Sequence, residues 1–92
     1  MLTAFVMIQA EPDKIAGIAR TIANMANVAE VYSVTGDFDI MVILHLAEYE
    51  QLAEAVPDGL AKIDGIKRTN TVLAFRRFSS EELEAAWDIG VS

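Results

Sequence analysis

Apolar residues recur along this chain with two different periods, and the order in which the periods alternate narrows the fold more than any other feature. Residues 3–10, TAFVMIQA, form a short apolar run closed by EPDK, where Pro12 after Glu11 suits the first turn of a helix. From there Ile15, Ile18, Ala19, Ile22 and Met25 recur at steps of three and four, which places them on one helical face. Residues 28–35, VAEVYSVT, are rich in β-branched and aromatic side chains, and 38–46, FDIMVILHL, resume strand character after the break at Gly36. Helical spacing returns at Leu52, Val56, Leu60 and Ile63. Inside that segment Pro57 withholds a backbone donor and Gly59 weakens the helix, so VPDGL predicts a kinked or split helix. Residues 66–78, IKRTNTVLAFRRF, predict a long strand. Ser79 with Glu82 then matches a capping box, and Phe78 with Leu83 the hydrophobic staple around it, opening a last helix that runs to about Ile89. The order is β-α-β-β-α-β with an added C-terminal helix, an α+β chain of the ferredoxin-like, split βαβ arrangement.

A sheet with both helices on one side alternates apolar and polar residues if its other side meets water. Here Phe5, Val6, Met7 and Ile8 are apolar on both parities, as are Ile40, Met41, Val42, Ile43 and Leu44. Hydrophobic residues make up 53% of the chain, although a domain of this size buries only about two-thirds of its unfolded surface. The second sheet face therefore calls for a cover, and a second copy of the chain is the simplest one, giving a homodimer packed sheet to sheet. The alternative cover is the C-terminal helix, which is short for a whole sheet.

At 92 residues the sequence reads as one domain, 1–92. Its net charge of −7 repels a phosphate backbone and an anionic membrane surface, so direct nucleic-acid or membrane partners are not expected. The absence of cysteine removes disulfides, thiolate nucleophiles and thiolate metal ligands, and is compatible with a reducing compartment. The N-terminal MLTAFVMIQA has neither a basic n-region nor the length to span a bilayer, so the expectation is a cytoplasmic protein.

Gly36, Asp37 and Asp39 punctuate two apolar strands in VTGDFDIMVIL. One reading is an ordinary hairpin turn. The other is a loop that holds a small charged molecule: glycine permits positive φ, so successive N–H groups can face a carboxylate, and an aspartate can accept hydrogen bonds from an ammonium group. Asp39 has the further option of capping the loop's own amides. His45 stands alone, with no second histidine or cysteine to complete a metal set, and reads as a packed or interface residue. Arg68, Arg76 and Arg77 are read as one basic cluster, solvated or in salt bridges between subunits, with anion binding the minority reading, and Trp87 as a core or interface packing residue. No nucleophile–base pair, metal set or phosphate loop occurs at a supporting spacing, so no catalytic residue, metal or cofactor is expected. A small dimeric ferredoxin-like monooxygenase, with His45, Trp87 and Tyr32 in its pocket, remains the enzyme alternative, and a purely structural oligomerisation module the third class.

The order of elements, VAEVYSVTGDFDIMVIL across strands two and three, and GIKRTNTVLAF leading through strand four together resemble the effector-binding domain of the Lrp/AsnC regulators, the RAM domain. The similarity covers almost the whole chain, and its most specific parts are V-x-x-V-T-G-D-F-D and the arginine-threonine-x-threonine of strand four. Family regulators carry an N-terminal helix-turn-helix domain for which these residues leave no room, so the chain is similar to the stand-alone RAM proteins. VPDGL, and MANV where many relatives have a proline-glycine turn, depart from the usual pattern. The resemblance implies an amino acid or related effector held where dimers meet in a ring-shaped assembly, commonly a tetramer of dimers. It also implies regulation through full-length Lrp/AsnC partners without DNA contact of its own. It places Thr35, Gly36, Asp37, Phe38 and Asp39 at the ligand, with Thr69 and Thr71 on one strand parity offering hydroxyls to the same molecule.

Overall fold

Alternation along the first strand builds the core. In a computed structural model, which describes residues 1–80, strand β1 (Leu2–Ala10) turns Ala4, Val6, Ile8 and Ala10 inward, all fully or almost fully buried. The chain then takes one short 3-10 turn at Pro12–Lys14 before helix α1 (Ile15–Ala23), which buries Ile18 and Ile22. Strands β2 (Val28–Ser33) and β3 (Ile40–Leu46) follow, then helix α2 (Glu50–Ala55) and strand β4 (Ile66–Leu73). The four strands form one antiparallel sheet in the order β2-β3-β1-β4, the ferredoxin-like arrangement expected from the sequence.

Both helices lie on one side of that sheet. Ile18 and Ile22 of α1, with Val56 and Leu60 after α2, join Val6, Ile8, Ile40, Val42, Leu44 and Leu46 in one buried cluster. Each such aliphatic side chain contributes about 1.5–3 kcal/mol by leaving water, and this layer fixes the register of every strand.

The second helical segment is split as its proline predicts. Helix α2 ends at Ala55, the Val56 N–H still bonds the Leu52 carbonyl, and a separate 3-10 turn forms at Leu60–Lys62. Strand β4 is shorter than the 66–78 expected, because its partner runs out. Ala4 opposes Leu73 and the Ala74 N–H bonds the Thr3 carbonyl, after which only Leu2 remains on β1. The expected capping box, staple, C-terminal helix and Trp87 lie wholly or partly outside the described residues.

The opposite side of the sheet carries Thr3, Phe5, Met7 and Gln9 of β1, and Met41, Ile43 and His45 of β3. Edge strands add Glu30 and Tyr32 of β2, and Arg68, Asn70 and Val72 of β4. Its centre is apolar and half-buried while its margins are polar or exposed. Among the described residues no helix is long and apolar enough to cross a membrane.

Candidate functional site

The β2–β3 connection is a short turn closed by the Val34 N–H donating to the Asp39 carbonyl at 3.0 Å. Gly36 within it takes φ +105, a backbone conformation that favours glycine, and a Cβ there would meet nothing within 4 Å. Thr35, Gly36 and Asp37 are exposed, and Phe38 and Asp39 half-buried.

Asp39 fastens this turn to β1. Its N–H donates to the Ile8 carbonyl at 2.8 Å, and its Oδ2 accepts the Ala10 N–H at 2.8 Å. Its carboxylate thus caps the end of the neighbouring strand, while Asp37 is the acid left facing water. The turn therefore combines an open glycine, an outward carboxylate and a fixed base, an arrangement able to hold a small polar molecule.

Thr69 and Thr71 sit opposite Ile8 and Val6, which places both on the helix-covered parity of β4. Thr71 lines a shallow groove beside α2 with Tyr49, Leu52, Val56 and Pro57, so it is not brought to the turn. The β4 side chain that does reach the turn is Arg68, whose guanidinium carbon lies 4.9 Å from the centre of the Phe38 ring. Arg68 is not one cluster with Arg76 and Arg77, as the sequence suggested: it stands near the start of β4 and they lie beyond its end. The signal that would have found it is register, since Arg68 opposes Gln9 on the open parity, next to the strand end where Asp39 docks.

His45 opposes Thr3 at the far end of the open face, in a cleft of about 450 Å3 shared with Phe5, Ile43, Phe75 and Arg76. Arg76 there lies 5.8 Å from the centre of the Phe78 ring. One wall of this cleft is the segment leaving the sheet toward residues outside the described part. On the β2 margin the Tyr32 hydroxyl is held above its usual phenol range by its hydrogen bond to Glu30 and by that carboxylate's charge.

A helix-backed antiparallel sheet of four strands defines a small α+β domain of the ferredoxin-like class. The Lrp/AsnC ligand binding domain profile matches residues 3–83, and the chain belongs to that family. Over 70 residues it is 43% identical to an uncharacterised HTH-type transcriptional regulator of Pyrococcus horikoshii, covering 76% of this chain and 47% of the relative. The chain thus spans about half the length of the curated relatives it matches. Among solved structures, TTHA0845 from Thermus thermophilus shares 39% identity at a TM-score of 0.83, covering 86% of this chain and 99% of that one. A Neisseria meningitidis transcriptional regulator solved as an L-Met complex shares the fold at a TM-score of 0.77 and 16% identity, covering 85% of this chain and 52% of that one.

Proposed function

We propose that this chain is an effector-sensing domain whose β2–β3 turn, Thr35–Asp39, holds an amino acid or a closely related small molecule. The single observation that carries the reading is the turn itself: Gly36 at φ +105 in open space, with Asp37 outward and Asp39 fixing its base. Family membership supports it, and so does the L-Met bound by the Neisseria regulator of the same fold. In this reading two copies pair through their open sheet faces, the dimers assemble further, up to an octamer, and effector occupancy acts on transcription through full-length Lrp/AsnC regulators. With a net charge of −7 the chain itself does not bind duplex, so gel retardation at low salt is expected to be negative.

The test is a thermal-shift screen against the twenty protein amino acids. A ligand at about 100 times its Kd stabilises the native state by about 2.7 kcal/mol, a melting shift on the order of 10 °C for a domain of this size. If none of the twenty produces a shift while the assembly persists, the sensing reading falls and a structural oligomerisation module remains.

A further inference from the structure

We infer that Arg68 takes the carboxylate of the ligand, with Phe38 holding the guanidinium in place, so that the site prefers a free carboxylate to the corresponding amide. This rests on the reading of the turn as an amino-acid site and assigns a role within it.

The geometry starts from register. Arg68 is on the edge strand β4 and Phe38 at the entry to β3, with β1 between them. Neighbouring strands lie about 4.8 Å apart, so the Arg68 and Phe38 side chains together span the two strand spacings between β4 and β3, meeting across β1. A long flexible side chain gives up rotamer freedom to hold such a position, and contact with the ring at 4.9 Å offsets that loss.

Contact with a ring face uses the cation's charge and leaves its N–H fork to a planar anion. Among the described residues Arg68 forms no ion pair, whereas its neighbour Lys67 lies 3.9 Å from Glu11 and Lys14 lies 2.8 Å from Asp64. A chain of net charge −7 thus places a guanidinium without a carboxylate partner beside its candidate site. Asp37, adjacent to Phe38 in the turn, supplies the opposite sign. An exposed acid next to Phe38 in the chain and an arginine over its ring offer opposite charges to the ammonium and carboxylate of a zwitterion, and an Arg–carboxylate pair can be bidentate.

The experiment measures binding of the twenty protein amino acids to the parent and to Arg68→Gln, Arg68→Lys and Phe38→Leu, with L-methionine and L-leucine each also compared with their α-amides. Arg68 is exposed, so its variants are expected to fold. The expected result is that the parent prefers acid to amide, and that Arg68→Gln weakens the acid by about ten- to a hundredfold without weakening the amide. Arg68→Lys recovers part of that loss. Phe38→Leu gives a smaller one, again confined to the acid. If Arg68→Gln binds the acid as the parent does, or loses acid and amide equally, the assignment is wrong and the sensing reading stands. If no amino acid binds the parent, both fall together.

Discussion

The Asp39 carboxylate accepts the Ala10 N–H while the Asp39 N–H donates to the Ile8 carbonyl, each at 2.8 Å, so one residue joins the β2–β3 turn to the last three residues of β1. The turn therefore inherits the rigidity of the central strand, whose Ile8 and Ala10 are core residues. It also divides labour between two acids close in sequence: Asp39 is structural and Asp37 is available.

Asp39→Ala leaves the half-buried Ala10 N–H without its acceptor. The expected cost is about 1–2 kcal/mol, a fall in Tm on the order of 10 °C, and Asp39→Asn, which keeps an acceptor oxygen, should lose less. Urea melts of the three proteins check this, and an alanine variant as stable as the parent contradicts the capping role. Because Asp39→Ala also loosens the turn, Asp37→Asn is the cleaner test of ammonium recognition: it should weaken an amino-acid ligand while leaving the melt in its absence within about 0.5 kcal/mol of the parent.

Two glycines separate strain from crowding. Gly36 and Gly65 have φ of +105 and +99, so alanine pays a backbone penalty of about 1–2 kcal/mol at either. At Gly65, however, a Cβ would come within 2.7 Å of the Lys14 Cδ and 3.2 Å of the Ile18 Cδ1. Gly65→Ala should therefore be the more destabilising of the two in thermal melts, and equal losses would mean that Lys14 moves aside freely.

Lys14 and Asp64 set a modest pH dependence. Their 2.8 Å pair lowers Asp64 below its ordinary 3.8 and raises Lys14 above its ordinary 10.5, in each case first through the shared hydrogen bond and then through the opposite charge. A depressed carboxylate stabilises above its unfolded pKa and loses that contribution as pH falls through the lower folded value. A raised amine stabilises below 10.5 and loses its contribution as pH rises past the higher folded value. The melting difference between the parent and Lys14→Gln should thus be widest between about pH 5 and 9, narrow below about pH 3, and shrink in concentrated salt because the pair is exposed. A difference independent of pH would assign the effect of Lys14 to packing.

How much of this was legible beforehand follows from which periods a sequence displays. The helix face through Ile18 and Ile22 and the inward residues of β1 and β3 were readable because burial repeats at 3.6 and 2 residues. The split after α2 was readable because proline removes a donor wherever it stands. The end of β4 was not, since Ala74–Phe78 is apolar enough for a strand and only the start of β1 limits it. Arg68 was equally hidden. Nothing local to IKRTNT says that Gln9 faces Arg68 or that Phe38 approaches from the far side of β1; that depends on pairings between residues about 30 to 60 positions apart. For the same reason the threonines of β4 looked like partners of the turn, although their parity carries them to the helix side.

The same register governs the last prediction. On the open face Phe5 directly opposes Ile43 and Met7 opposes Met41 across the two central strands, a square of four half-buried apolar side chains extended by the exposed Val72 beside Phe5 and otherwise bordered by Thr3, Gln9, Glu30, Tyr32, His45, Arg68 and Asn70. Cross-strand apolar pairs stabilise the sheet by only about 0.2–1 kcal/mol each, so the fold gives limited reason to concentrate them where water has access. A second copy gives a stronger one, because a stable interface buries about 800 Å2 per partner around an apolar centre with a polar rim. The parent should accordingly sediment as a dimer or larger at micromolar concentration. Met41→Lys and Ile43→Lys place a charge in the middle of the square without touching the core layer of Val42 and Leu44, so each should shift the protein toward monomer while the far-UV spectrum stays native. A parent that sediments as a stable monomer, or lysine variants that assemble as it does, would show that this face is not the contact.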